Sequence, residues 1–170
     1  MKNIFIKTRL SLISLSAVFI FATFSKSSIA AEASFYEALA QFVRVIYENA
    51  ETSNKGDKIC IYGSDNVSIN IVGGDIVVLE DSNDKNKNKK CRIIYVAKDK
   101  ERLVKSFIDN LNKSGALTVA TFSNFVNDGG MVFVDIGRRN FELTVNIPSF
   151  KASGVKLDSA ITGLIINTKN

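Results

Sequence analysis

Two cysteines, Cys60 and Cys91, carry the most distinctive chemistry in this sequence, which contains no histidine. Without histidine, Ser–His and Cys–His nucleophiles and most zinc or iron sites are excluded. The two thiols could form a disulfide, bind a metal, act as nucleophiles or remain buried and free. The choice depends on the compartment, because disulfides persist mainly in oxidising ones.

The first 30 residues have the three-part pattern of an export signal. Lys2, Lys7 and Arg9 make a basic start, residues 10–24 form an apolar stretch, and small residues precede Ala31. An uncleaved anchor is the alternative, but the stretch is shorter than the roughly 20 residues that span a bilayer. We therefore expect a signal peptide over residues 1–30, cleaved near Ala30. Residues 31–170 would form one exported domain that does not span the membrane.

An oxidising compartment favours a disulfide between Cys60 and Cys91 over a metal site or a nucleophile. Closing a loop of about 30 residues stabilises a fold by roughly 3 to 4 kcal/mol in the chain-entropy model. Two buried free thiols remain the alternative.

Composition argues against nucleic-acid binding and against an enzyme. The whole chain has a net charge of +5, but four of its 22 basic residues and none of its 17 acidic residues lie in residues 1–30. The mature chain is therefore almost neutral, and it has no basic stripe interleaved with aromatic residues. No carboxylate pair has the aromatic neighbours of a sugar-cleaving site. We expect a non-enzymatic protein without a metal or another cofactor.

Hydrophobic periodicity predicts helices and strands in alternation. Ser34 and Glu37 match a capping box, and apolar residues then recur at helical spacing as far as Tyr47. Asp99 is positioned to cap a helix over residues 100–112. Residues 81–90 contain six charges and nothing apolar, which predicts a solvated loop. Strands are expected at residues 58–62, 75–80, 91–96 and 116–120. A strand, a helix and a strand in this order predict a parallel crossover.

The last third of the sequence predicts an antiparallel hairpin. Gly129 and Gly130 precede a strand over residues 131–136, and apolar residues alternate with polar ones from Phe141 to Ile147. A short helix should begin at Pro148 and end at Gly154, and Asp158 could cap a final apolar segment through Ile166. Turns are expected at residues 73–74 and 137–140. The fold class is α/β: a single domain with a mixed, mainly parallel sheet flanked by helices, and a C-terminal antiparallel hairpin.

Several blocks of this sequence, in their order and spacing, resemble the YfiR family across nearly the whole mature chain. The blocks are residues 59–63, 91–96, 117–119, 125, 129–134 and 141–146. The resemblance implies a periplasmic α/β protein that holds an inner-membrane diguanylate cyclase inactive through that enzyme's periplasmic part, and so lowers cyclic di-GMP signalling. It also implies a disulfide at Cys60 and Cys91, which match positions that are bridged in the namesake.

The sequence departs from the family at surfaces that could contact a partner. The first helix lacks the usual aromatic–proline end, a second cysteine pair is missing, and the final helix is reduced to residues 160–164. Related domains also act as sensor modules, so a periplasmic small-molecule sensor is the alternative function. A homodimer is compatible with either function.

The hairpin supplies the candidate partner contacts. Glu142 lies on the polar side of the alternation, and Asn146 and Ile147 end the strand, so a charged and an apolar residue lie close together. We expect these three residues to contact the partner, whereas ordinary solvated sheet positions are the alternative. Gly129 and Gly130 could donate to an anion, but a tight turn is favoured because no lysine accompanies them.

Mass spectrometry of the protein purified from the periplasm should find an amino terminus within a few residues of Ala31. An intact Met1 on membrane-embedded protein would contradict this prediction.

Overall fold

The computed structural model describes residues 14–71, 75–136, 141–163 and 165–169. The turns expected at residues 73–74 and 137–140 lie outside these ranges. The chain divides into two compact units, residues 1–35 and residues 36–170. Within the described ranges, no helix is both long enough and apolar enough to cross a membrane.

Helix α1 covers Ser14–Glu48, so the capping box expected at Ser34 is wrong. Ser34 lies inside the helix, where its hydroxyl donates to the carbonyl oxygen of Ala31 at 2.9 Å. The helix begins well before Ser34, so no helix start is present there for Ser34 to cap. Its hydroxyl bonds instead to a carbonyl of the preceding helical turn. The predicted apolar face is confirmed in the second unit, where Leu39, Phe42, Val43 and Ile46 are buried.

A seven-stranded sheet forms the centre of the second unit. The described strands are β1 Ala50–Glu51, β2 Lys58–Tyr62, β3 Ile76–Leu79, β4 Cys91–Val96, β5 Leu117–Ala120, β6 Val132–Ile136, β7 Phe141–Asn146, β8 Lys156–Leu157 and β9 Ile165–Lys169. The order in the seven-stranded sheet is β3-β2-β4-β5-β6-β7-β9, and a two-stranded sheet pairs β1 with β8. The five neighbouring strands β3, β2, β4, β5 and β6 are parallel to one another. Strand β7 is antiparallel to β6, and β9 is parallel to β7. The expected mixed, mainly parallel sheet is confirmed.

Two apolar clusters cover the two faces of this sheet. The first packs α1 on residues such as Ile59, Ile93 and Val119. The second packs α3, Val104–Asn112, on residues such as Cys60 and Ile94. Consecutive residues of β4 belong to opposite clusters, which explains why this strand is a continuous apolar run rather than an alternating one.

In the hairpin of β6 and β7, alternate residues lie on opposite faces of the sheet. Val132 and Val134 lie opposite Val145 and Leu143 and are buried in the first cluster. The intervening residues lie on the other face, where Phe133 pairs with Thr144 and Asp135 with Glu142. These four side chains are half-buried or exposed. The predicted alternation is confirmed.

The start of the helical region after β4 differs from the expectation. A 3-10 helix, Lys98–Leu103, precedes α3, and Asp99 does not cap it. The Asp99 carboxylate instead accepts from the backbone amide of Ser64 at 2.9 Å. This long-range bond fixes the chain after β2, and local spacing could not reveal it.

The charged segment at residues 81–90 is more ordered than a solvated loop. Asp84 caps helix α2, Lys85–Asn88, by accepting from the amides of Asn86 and Lys87. Ser82 and Asn88 are buried. Capping makes a short helix possible here even though the segment has no apolar residue.

The end of the chain forms a further strand. Pro148 lies in helix α4, Ile147–Ser153, which ends at Gly154 in the left-handed conformation as expected. Asp158 precedes α5, Ser159–Thr162, and its carbonyl oxygen accepts from Ile161 and Thr162. Strand β9 follows and pairs with β7, so the final apolar segment adds a strand to the sheet.

Gly129 and Gly130 form a tight turn, as the sequence favoured. Gly129 has a φ of +106°, and the amide of Gly130 donates to the carbonyl of Phe125 at 2.9 Å. A Cβ on Gly130 would lie 2.3 Å from the buried Phe125 ring. The glycines therefore let the chain approach the core closely.

Gly130→Ala should lower the free energy of unfolding by about 2 kcal/mol, because the new methyl group overpacks the core beside Phe125. Urea denaturation measures the change. Gly154→Ala is the control, since its Cβ has room and only its left-handed conformation is strained, which costs about 1 kcal/mol. Equal stability of Gly130→Ala and the unchanged protein would contradict the assigned packing.

Candidate functional site

The disulfide joins two neighbouring parallel strands inside the sheet. Cys60 on β2 and Cys91 at the start of β4 are bonded, with their Cα atoms 5.6 Å apart, and both are fully buried. The bond closes a loop across 31 residues that contains β3 and α2. The bond therefore ties both ends of the segment that contains β3 and α2 to the sheet. Two free thiols, the alternative, are absent from the described part of the chain.

The backbone around Cys91 is also clamped by the segment before β2. The Asn54 side-chain amide donates to the Cys91 carbonyl at 2.9 Å, and Arg92 Nε donates to the Gly56 carbonyl at 3.2 Å. A Cβ on Gly56 would lie 2.3 Å from the Cys91 oxygen, so only glycine allows this approach. Arg92 also lies over the Tyr47 ring. These contacts make the start of β4 a rigid junction.

The carboxyl ends of β2 and β4, where ligands bind in many open α/β sheets, are filled by the protein's own side chains. Asp65 accepts from the Tyr95 hydroxyl at 3.0 Å, the Lys98 amide at 2.7 Å and the Ser68 amide at 2.7 Å. Burial raises the pKa of Tyr95, and the nearby Asp65 charge raises it further. Tyr95 thus stays a neutral donor, and this crevice is a structural network.

The accessible side of the hairpin is the candidate partner surface. We call Phe133, Asp135, Glu142 and Thr144 the β6–β7 face. Two carboxylates, Asp135 and Glu142, lie opposite each other next to the half-buried Phe133 and Thr144 pair. An accessible aromatic ring beside negative charge suits contact with an apolar and basic partner surface.

The three predicted contacts do not lie together on this face. Glu142 belongs to it, and Asn146 lies on the same side but is engaged in local structure. Its amide donates to the Val126 carbonyl at 2.9 Å, and its oxygen accepts from the Ser149 amide at 3.0 Å as the cap of α4. Ile147 packs against the first apolar cluster, on the opposite side of the sheet. Their roles in partner binding remain predictions.

Sequence reasoning missed Phe133 and Asp135. The hairpin pattern contained the signal, because antiparallel pairing around residues 137–140 places Asp135 opposite Glu142. The alternation within one strand shows only which residues share a face. The register between β6 and β7 is also needed to show which residues lie opposite each other.

A wide cleft of about 890 Å³ lies at the start of β4, beside β1 and β8. Its charged lining is mixed, with Glu51 and Asp158 accompanied by Lys55, Arg92 and Lys156. Across the described ranges, no group of three or more cysteines and carboxylates could hold a metal ion.

Comparison with known proteins identifies the family. A sequence profile described as YfiR/HmsC-like matches residues 30–164, which is well over half of the chain. The chain belongs to the YfiR/HmsC-like family. This family consists of periplasmic proteins that regulate rather than catalyse, and it is linked in general to diguanylate cyclase control. A search of curated sequences gives no significant match.

One solved structure supports the fold of this YfiR/HmsC-like chain. A conserved domain protein from Vibrio cholerae superposes with a TM-score of 0.57 at 12% identity, over 76% of this chain and 60% of the other. The chain thus spans about 60% of that protein's length, and the similarity concerns the fold. An ABC domain in complex with L-Trp from Streptococcus pneumoniae reaches a TM-score of 0.46 at 10% identity, over 69% of this chain and 57% of the other.

Replacing both Cys60 and Cys91 with alanine should lower the free energy of unfolding by about 3 kcal/mol, since the 31-residue loop is no longer closed. Urea denaturation with and without reductant measures this. Reductant should destabilise the unchanged protein and leave the double variant unaffected. Reductant-insensitive stability of the unchanged protein, or two alkylatable thiols after periplasmic purification, would contradict the bond.

Proposed function

We propose that this protein binds the periplasmic part of an inner-membrane diguanylate cyclase and keeps the enzyme inactive, so that cyclic di-GMP falls. The observation that carries the proposal is the family match over residues 30–164. Export with signal cleavage near Ala30 belongs to the proposal, because only an exported chain meets a periplasmic partner.

The β6–β7 face is the surface that we propose for the contact. Phe133 and Thr144 supply apolar area, while Asp135 and Glu142 supply charge that can fix the register against a basic residue. The face lies on a sheet that is held from its other side by the buried Val132, Val134, Leu143 and Val145. A rigid support of this kind reduces the ordering cost of binding.

Inhibition would be a shift of population between two states of the cyclase. A regulator changes this balance only by the difference between its affinities for the inactive and active states. Moving an equilibrium from 1:99 to 99:1 needs a preference of about 10⁴-fold. The expected interface must therefore distinguish the two states of the partner, and tight binding alone is insufficient.

Glu142→Lys should preserve the fold and weaken inhibition. The change places a lysine opposite Asp135, which is a favourable cross-strand combination, so unfolding should change by less than about 0.5 kcal/mol. The reversed charge should repel a basic partner contact, lower co-purification of the cyclase and raise cellular cyclic di-GMP.

Glu80→Lys is the matched control for Glu142→Lys. Glu80 is exposed and follows β3, at the opposite edge of the seven-stranded sheet. Both variants change the net charge equally, and only the hairpin variant should release the cyclase. A folded Glu142→Lys protein with full inhibition would show that this face is not the contact.

A further inference from the structure

Strand β3 lies at one edge of the seven-stranded sheet, and its outer side has no neighbouring strand within the described ranges. Just before β3, the carbonyl oxygen of Asp75 accepts from the Ile59 amide of β2 at 3.2 Å. The amide and the carbonyl of one strand residue point to the same side, and successive residues alternate. Ile76 and Val78 therefore direct their backbone groups away from β2, where no described residue bonds them. These groups can pair with a further strand.

Exposed apolar side chains accompany this free edge. Ile69, Ile76 and Val78 are three of the six large apolar side chains that the described part of the chain exposes, and Val78 is 62% exposed. The register places Val78 beside Ile61, so Val78 and Ile76 lie on the face of the first apolar cluster. The apolar face of the sheet thus continues outward to its edge. An added strand would cover this apolar surface together with the backbone groups.

The sequence of β3 leaves this edge open to pairing. All residues of the strand are apolar, and neither a charged residue, a proline nor a bulge interrupts it. Such interruptions commonly protect sheet edges, because a free edge can join another chain. Only the shortness of β3 limits the pairing, which favours a weak and reversible contact with one strand.

The charges at the ends of β3 indicate which strand fits. Asp75 precedes β3 and pairs with Lys58. Glu80 and Asp81 follow β3, and neither forms an ion pair with a described residue. An antiparallel pair of two copies would bring Glu80 of one copy close to Asp75 of the other, and like charges on paired strands are destabilising. A strand with a basic residue opposite Glu80 gains an attraction instead.

We propose that the β3 edge binds an extended segment of a second protein, with apolar side chains at alternate positions and a lysine or arginine at its end. Backbone hydrogen bonds to Ile76 and Val78 hold the segment, its apolar side chains cover Val78, and its basic residue pairs with Glu80. This contact is separate from cyclase inhibition, because the β6–β7 face lies toward the other edge of the sheet.

Acetylated and amidated peptides of about eight residues, a usual strand length, test the edge by fluorescence anisotropy with the purified protein. The first peptide alternates valine with threonine and has lysine at both ends. The second has glutamate at both ends, and the third keeps the lysines but has proline at two adjacent central positions. The lysine peptide should bind about fivefold more tightly than the glutamate peptide. The proline peptide should not bind, because it lacks backbone donors for the edge.

Variants at exposed positions assign the binding to β3. Val78→Lys should weaken binding of the lysine peptide by about tenfold or more, because edge lysines oppose strand addition. Val45→Lys, the same change on the exposed side of α1, should leave the affinity unchanged. Glu80→Lys should reverse the preference and favour the glutamate peptide. Glu37→Lys on α1 changes the net charge equally and should keep the preference for the lysine peptide.

Absence of binding by the lysine peptide, equal binding of the proline peptide, or an unaffected Val78→Lys protein would overturn the proposal. An unchanged preference in Glu80→Lys would overturn the assigned charge pairing and the proposal with it. A dimer of the unchanged protein that Val78→Lys dissociates in analytical ultracentrifugation would show that a second copy occupies the edge, which also contradicts the proposal. These measurements use purified protein and peptides, so their failure is distinguishable from a failure to inhibit the cyclase.

Discussion

The pairing of β2 with β4, sealed by the Cys60–Cys91 bond, is the constraint on which the rest of the second unit depends. Both strands are buried, and each apolar cluster contains residues from both of them. The bond lies where three parts of the chain converge: the segment before β2, the end of α2 and the start of β4. Loss of this junction would remove the hydrogen bond from Asn54 to the Cys91 carbonyl. It would also release the segment that contains β3 and α2 from the sheet.

From this pair of strands, the sheet extends through β5 to a hairpin whose two faces have different roles. One side contributes Val132, Val134, Leu143 and Val145 to the core, while the β6–β7 face remains accessible. A half-buried strand can combine these tasks because its side chains alternate strictly. The surface that we propose for the partner is therefore supported directly by the core.

Sequence patterns predicted the features that depend on neighbouring residues. The strands, the hairpin, the turn at Gly129 and the end of α4 at Gly154 follow from local alternation, apolar runs and glycine conformation. The disulfide followed from composition and compartment, together with the family resemblance. These predictions needed no knowledge of which strands are neighbours.

Features set by contacts between distant residues could not be predicted. Asp99 has the right spacing for a cap, yet its carboxylate accepts from the Ser64 amide beyond the carboxyl ends of β2 and β4. Asn88 belongs to a segment without apolar residues, yet the tertiary structure buries it. Asn146 and Ile147 are consecutive, and the beginning of α4 directs one to a capping role and the other to the core.

Cross-linking in intact cells tests most directly whether the β6–β7 face binds a membrane diguanylate cyclase. A photoreactive amino acid would replace Thr144 on this face, with Val78, an exposed residue on β3 at the other sheet edge, as the control position. The account predicts a cross-link from position 144 to a membrane protein with a diguanylate cyclase domain, and none from position 78. A cross-link to such a protein from position 78 alone, or no cyclase captured from position 144, would contradict it.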